Sequence, residues 1–86
     1  MLKVLVANDD VTPMELVVHL LEGVFEKSRD EAVKIMLQAH HEGQATCGVY
    51  ANAQARDLVS HATALAQRAG HPLHFSLVDA DPGQPF

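Results

Sequence analysis

The run Leu2-Lys3-Val4-Leu5-Val6-Ala7 is apolar, partly β-branched and nearly alternating, and it breaks at Asn8-Asp9-Asp10 into a helical pattern. A short strand must therefore pass through a polar turn straight into a helix, which constrains everything downstream. Thr12 is expected to act as N-cap, Pro13 to occupy the first helical position, where a missing N–H costs nothing, and Glu15 to complete a capping box. The turn so defined holds an amide and two carboxylates just before a helix start, and Met14 begins that helix's apolar face. Polar acceptors and a hydrophobic surface thus lie side by side.

The density of β-branched residues in the first strand places it near the centre of a sheet. Met14, Val17, Val18, Leu21, Val24 and Phe25 then follow helical spacing from Pro13 to about Glu26, with Glu15, Glu22 and Glu26 on the other side. Ser28 with Glu31 is a second capping-box signature. It opens a helix with a buried stripe of Ala32, Ile35, Met36 and Ala39 that ends near Gly43. Only Lys27 and Ser28 separate the two helical patterns, so the helices should form an αα-hairpin with Met14 and Val17 near Met36 and Ala39. Gln44–Tyr50 reads as a second strand in which Gly48 marks a bulge or a close backbone contact. A third helix from Asn52 to Ala69 places Ala55, Val59, Ala62, Ala66 and Ala69 on one side, with Gly70 as a left-handed cap. A third strand follows over Leu73–Val78, and residues 81–86 read as a flexible tail. The order is βααβαβ, an α/β sandwich with three strands and three helices on one face.

Eighty-six residues suit one small domain with a modest core. A net charge of −5 supplies no basic footprint for nucleic acid or an anionic membrane. The one cysteine, Cys47, cannot form an internal disulfide, and no signal peptide or long apolar span is present, which fits a reducing cytoplasm.

His40 lies four residues after Met36 and shares its helix face, whereas His41 points elsewhere. One reading makes His40 a helix-end histidine favoured by the dipole, and another makes Asn8, Asp9 and Asp10 mere shapers of the turn. If the helices pack together, however, His40 approaches Asn8 and Asp10, and the group offers several acceptors with no fixed cation among them. Three ligands answer that demand. Asp9, Asp10, His40 and Cys47 are all metal-ligand types, yet they lack the spacings of zinc or EF-hand sites. A metal-dependent hydrolase using Asp9, Asp10 and His40 is the enzymatic reading, although no nucleophile motif, phosphate loop or cofactor fingerprint accompanies them. An organic ammonium attached to an apolar side chain is the third, and it alone also uses Met14, Val17, Met36 and Ala39. A docking module with an exposed helix face and a solvated polar cluster remains a further alternative.

With these residues in view, the sequence resembles the ClpS family of bacterial adaptors. The resemblance rests on Val6-Ala7-Asn8-Asp9-Asp10 with Thr12-Pro13-Met14-Glu15, then Ala32 with Met36, His40 and Gly43, then Cys47-Gly48-Val49-Tyr50, and His71-Pro72-Leu73. It covers nearly the whole chain from Lys3 to Ala80. It implies the ClpS fold, a three-stranded antiparallel sheet similar to the C-terminal domain of the bacterial ribosomal stalk protein, as a single N-degron-binding domain over residues 1–80. It also implies a monomeric adaptor, not an enzyme and without cofactor, that delivers proteins beginning with Leu, Phe, Tyr or Trp to the N-terminal domain of the ClpA unfoldase and on to ClpP. The similar domain within eukaryotic ubiquitin ligases is disfavoured by so short an isolated chain.

By that resemblance Asn8, Asp10 and His40, with Asp9 nearby, hold the free α-amino group. The first side chain enters a pocket lined by Met14, Val17, Met36, Ala39 and Leu73, with Thr12 shaping its entrance. Met14 stands where the family carries the residue that rejects β-branched first residues. Ala39 departs from the larger aliphatic residues usual there and implies a roomier or shallower pocket floor. Ala53 and Leu58 stand where familiar members present charged docking residues on the third helix. Only seven residues precede Asn8, so the chain is expected to be either trimmed or a short paralogue.

Overall fold

The computed structural model describes residues 1–7, 10–71 and 73–80. Among these the order is β1 (Leu2–Ala7), α1 (Met14–Gly23), α2 (Arg29–Glu42), β2 (Gln44–Tyr50), α3 (Asn52–Arg68) and β3 (Phe75–Asp79). The strands lie in the order β2-β1-β3, and β1 pairs antiparallel with both neighbours. The predicted βααβαβ sandwich, with the first strand at its centre, is the architecture found.

Alternation along β1 decides where the core lies. Val4 and Val6 point inward, and Val6 stands opposite Ala45 of β2 and Phe75 of β3. Lys3 faces the other way between Val49 and Val78, both exposed. Buried side chains from all three helices meet the inward face: Val17, Val18, Leu20 and Leu21 of α1, Ala32 and Ala39 of α2, and Ala55, Ala62 and Ala66 of α3. The alanines of α3 let its backbone approach the sheet closely, so a small-residue stripe does the packing that larger residues do on α1.

The helix ends show which local signals won. Ser28 accepts a hydrogen bond from the Glu31 N–H at 3.2 Å, the cap its sequence predicts. Gly43 (φ 92°) closes α2 in the left-handed region, where a side chain is disfavoured, and its N–H donates to Ala39 at 2.9 Å. Thr12, by contrast, is not the N-cap of α1. Pro13 takes that place with an extended ψ of 139°, its carbonyl accepting from Leu16 and Val17, and no side chain caps the helix. Nor does α1 reach Glu26. It ends at Gly23, after which Glu26 turns left-handed (φ 54°) and the Lys27 N–H donates to Leu21 at 3.0 Å. Val24 and Phe25 are buried from the connection itself, so the inward stripe outlasts the helix, and the link between α1 and α2 is longer than the two residues expected. Ala69 lies beyond α3 and is exposed, with Gly70 left-handed just after it, and β3 begins at Phe75 instead of Leu73.

Gly48 marks a bulge, the first of the two features expected of it, and the close neighbour it meets is a side chain. The pairing register jumps from Val4 opposite Gly48 to Leu5 opposite Thr46, leaving Cys47 as the extra residue of a bulge. The bulge shifts the alternation by one, so Val49 faces solvent and Tyr50 turns toward Phe25, with ring centroids 6.3 Å apart. A Cβ on Gly48 would lie 2.6 Å from the Tyr50 hydroxyl and 2.8 Å from two ring carbons, so the missing side chain makes room for that ring.

Cys47 is buried beside this bulge. Burial pushes its thiol from 9.0 up to about 12, against a weaker downward pull from Lys27. The unfolded chain therefore gives up this proton at a lower pH than the folded one, so the associated stability is whole below pH 9 and is lost as pH rises toward 12. Urea denaturation between about pH 8 and pH 10 should show a loss on the order of 1 kcal/mol. Cys47→Ala should lessen that loss, and an equal loss in both proteins would remove Cys47 from it. Burial also raises the Tyr50 hydroxyl, which acts in the same direction and leaves a residual alkaline loss in the variant.

Candidate functional site

The turn after β1 lies beside the α1–α2 hairpin and the segment leading into β3. The Ala7 N–H donates to the His74 carbonyl at 2.9 Å, tying the end of β1 to that segment. The His71 N–H donates to Ala66 at 3.0 Å and the Leu73 N–H to His71 at 2.7 Å, a tight turn that brings Leu73 off the end of α3 into the core. Antiparallel packing of α1 on α2 places the start of one helix beside the end of the other, so Met14 and Val17 face Met36, Ala39 and His40.

These elements enclose a cavity lined by Asp10, Thr12, Met14, Val17, Met36, Ala39, His40 and Leu73, together with Val6 and Ala7. Eight of the ten residues expected at the site are thus gathered around one space. Asn8 and Asp9, the other two, lie outside the described residues, as do Pro72 and the expected tail at 81–86. Val6 and Ala7 were not among the expected lining residues, because a strand end reads as scaffold. Their position immediately before the turn was the available signal.

The cavity measures about 100 Å³ as room for the centre of a water-sized sphere, whereas a single water needs only ~10–15 Å³ on that measure. It is side-chain scale. Val6, Val17, Ala39 and Leu73 are buried and form an apolar interior, and Thr12, only 8% exposed, lies among them. Asp10, His40 and Met14 are exposed and Met36 is half-buried, so the mouth has a polar half and a thioether half. Asp10 makes contacts of its own within the protein, and a carboxylate has enough lone pairs to accept further hydrogen bonds. His41 packs edge-on against His40 with ring centroids 5.4 Å apart and does not line the cavity.

Among the described residues no group of three His, Cys, Asp or Glu side chains is placed to hold a metal ion, and Asp9 is not among those residues. Cys47 is buried and lines neither the cavity nor its mouth, so the structure does not bring it to the other candidate ligands. Among the described residues no helix is long and apolar enough to cross a membrane.

A small α/β sandwich whose helical hairpin holds a side-chain-sized apolar cavity behind a half-polar mouth is a ligand-binding domain in form. The chain belongs to the ClpS family: residues 1–76 match the family described as ATP-dependent Clp protease adaptor protein ClpS. It is 49% identical over 77 residues to the adapter protein ClpS of Gluconobacter oxydans and 52% identical over 75 residues to that of Leptospira biflexa. Those matches cover 90% and 87% of this chain, which spans only 65% and 66% of the relatives' own length. Its fold is similar to ClpS2 of Agrobacterium tumefaciens, solved bound to L-phenylalaninamide, with a TM-score of 0.86 and 38% identity over 90% of this chain and 93% of that one.

Proposed function

We propose that this chain is a single N-degron-binding domain over residues 1–80 that holds the free α-amino group and bulky first side chain of a protein, Leu, Phe, Tyr or Trp, without a catalytic step. The observation that carries this reading is the shared cavity. Asp10 and His40 stand at its mouth, and Val17, Ala39 and Leu73 line its buried interior. L-phenylalaninamide, the ligand of the similar ClpS2, combines a free amino group with a benzyl side chain, which are the two groups such a cavity would read. Asn8 and Asp9 are proposed to complete the polar half.

The pairing of the two halves has an energetic reason. Burying a Leu or Phe side chain contributes about 1.5–3 kcal/mol, and a hydrogen bond from a charged group contributes a similar amount. Either alone is offset by the ~4–15 kcal/mol lost on association. A ligand must supply both, so the site reads charge and size together. Delivery to ClpA and ClpP in a bacterial cytoplasm, with the domain acting as a monomer, belongs to the same proposal. On α3 Ala53 is exposed, whereas Leu58 is packed against the core, so Leu58 has a structural role whatever docks there.

The test is a fluorescence titration with peptides that differ only in their first residue. Leu, Phe, Tyr and Trp should bind and Val should not. Met14→Ala should admit Val by removing the thioether from the mouth. Equal affinity across the wild-type series overturns the proposal, and unchanged selectivity in the variant takes Met14 out of the gate.

A further inference from the structure

A second depression lies outside the cavity, along the surface between α1 and α2, with a volume of about 340 Å³ on the same measure. Met14 and Met36 line both, so the two spaces adjoin at these two side chains. Val18 and Val33 supply the groove's apolar lining beyond them. Glu15, and the Glu22–Arg29 pair at 3.4 Å, stand along its sides.

We infer that this groove receives the side chain of the third residue of the chain whose first residue fills the cavity. The inference rests on the proposed function and follows from the geometry at the first residue's α-carbon. Of its three branches, the amino group goes to the polar half of the mouth at Asp10 and His40, and the side chain goes to the interior. The carbonyl must leave by the remaining side, over Met14 and Met36, which leads onto the groove. An extended chain points successive side chains to opposite sides and advances ~3.3 Å per residue, so the third side chain returns to the protein roughly 7 Å from the first. The second side chain faces solvent. A bulky apolar third residue therefore packs on Val18 and Val33, whereas Gly there leaves the groove empty.

Peptides Leu-Ser-Xaa with an otherwise constant tail, titrated against the whole chain, test this with Xaa as Phe, Leu or Gly. Phe and Leu should bind about three- to tenfold more tightly than Gly, the gain expected from burying roughly half of such a side chain. In Val33→Glu, whose side chain lies in the groove and not in the cavity, that gain should vanish while the discrimination between first-residue Leu and Val persists. A thermal melt confirms that the variant folds. If Leu-Ser-Phe and Leu-Ser-Gly bind equally to the wild type, or the gain survives in Val33→Glu, the groove assignment is overturned and the cavity reading stands. If the affinity is indifferent to the first residue as well, both fall.

Discussion

A peptide beginning with Leu or Phe will lose at least about 100-fold in affinity when its α-amino group is acetylated. A free α-amino group has a pKa of roughly 7.7–8.0 and is mainly a cation at neutral pH, with donors for a carboxylate and a neutral imidazole. Asp10 and His40 both line the cavity, and on the proposed function they accept these bonds. Each such bond contributes about 1.5–3 kcal/mol, so losing two accounts for the 100-fold figure before the clash of the added acetyl group. The apolar side chain is untouched, which isolates the charge from the size term. His40→Ala should weaken binding about tenfold and leave the melt unchanged, because His40 is an exposed side chain on α2 and alanine favours the helix. A calorimetric titration in which the acetylated and free peptides bind alike would exclude the ammonium mechanism. A His40→Ala protein that lost its fold along with its binding would assign His40 a structural role instead.

The features legible in the sequence were those set by local chemistry or by period. Alternation in Leu2–Ala7 identified a central strand, and Ser28 and Gly43 marked the ends of α2 because their signals act within one helical turn. The nearness of Met14 and Val17 to Met36 and Ala39 followed from two amphipathic patterns joined by a short link, even though the link proved longer than it read. Thr12 misled because Thr-x-x-Glu is a local pattern with more than one use. Pro13 holds the cap geometry and the threonine lines the cavity, which periodicity does not register. Val24 and Phe25 read as helix because burial, not backbone, sets hydrophobic spacing, and a connection folded inward over Phe75 carries the same signature. The groove between α1 and α2 has no signature in the sequence. It depends on how far apart two helices stand, a quantity carried by no single residue.

Leu21→Ala should destabilise the domain by about 2–5 kcal/mol, the range found when a fully buried leucine is truncated. Leu21 is 1% exposed and among the largest wholly buried side chains, lying on α1 within the cluster that joins that helix to Val4 and Val6 of the central strand. Neighbouring buried positions on α2 and α3 are alanines, which have no side-chain length with which to move in and refill the space. The loss therefore falls toward the upper part of the range, since the cost grows with the volume left empty. A domain of this size has about 4–13 kcal/mol in total, so one substitution removes a large share and should lower Tm by on the order of 20–30 °C. Binding and stability should separate in this variant. Leu21 does not line the cavity, so the fraction that remains folded at low temperature should hold a Leu-initiated peptide with wild-type affinity, and excess peptide should raise its Tm by mass action. Urea unfolding monitored by circular dichroism measures the first effect and a melt with and without peptide measures the second. A stability change below about 1 kcal/mol would mean that the core closes over the gap, contrary to the packing described.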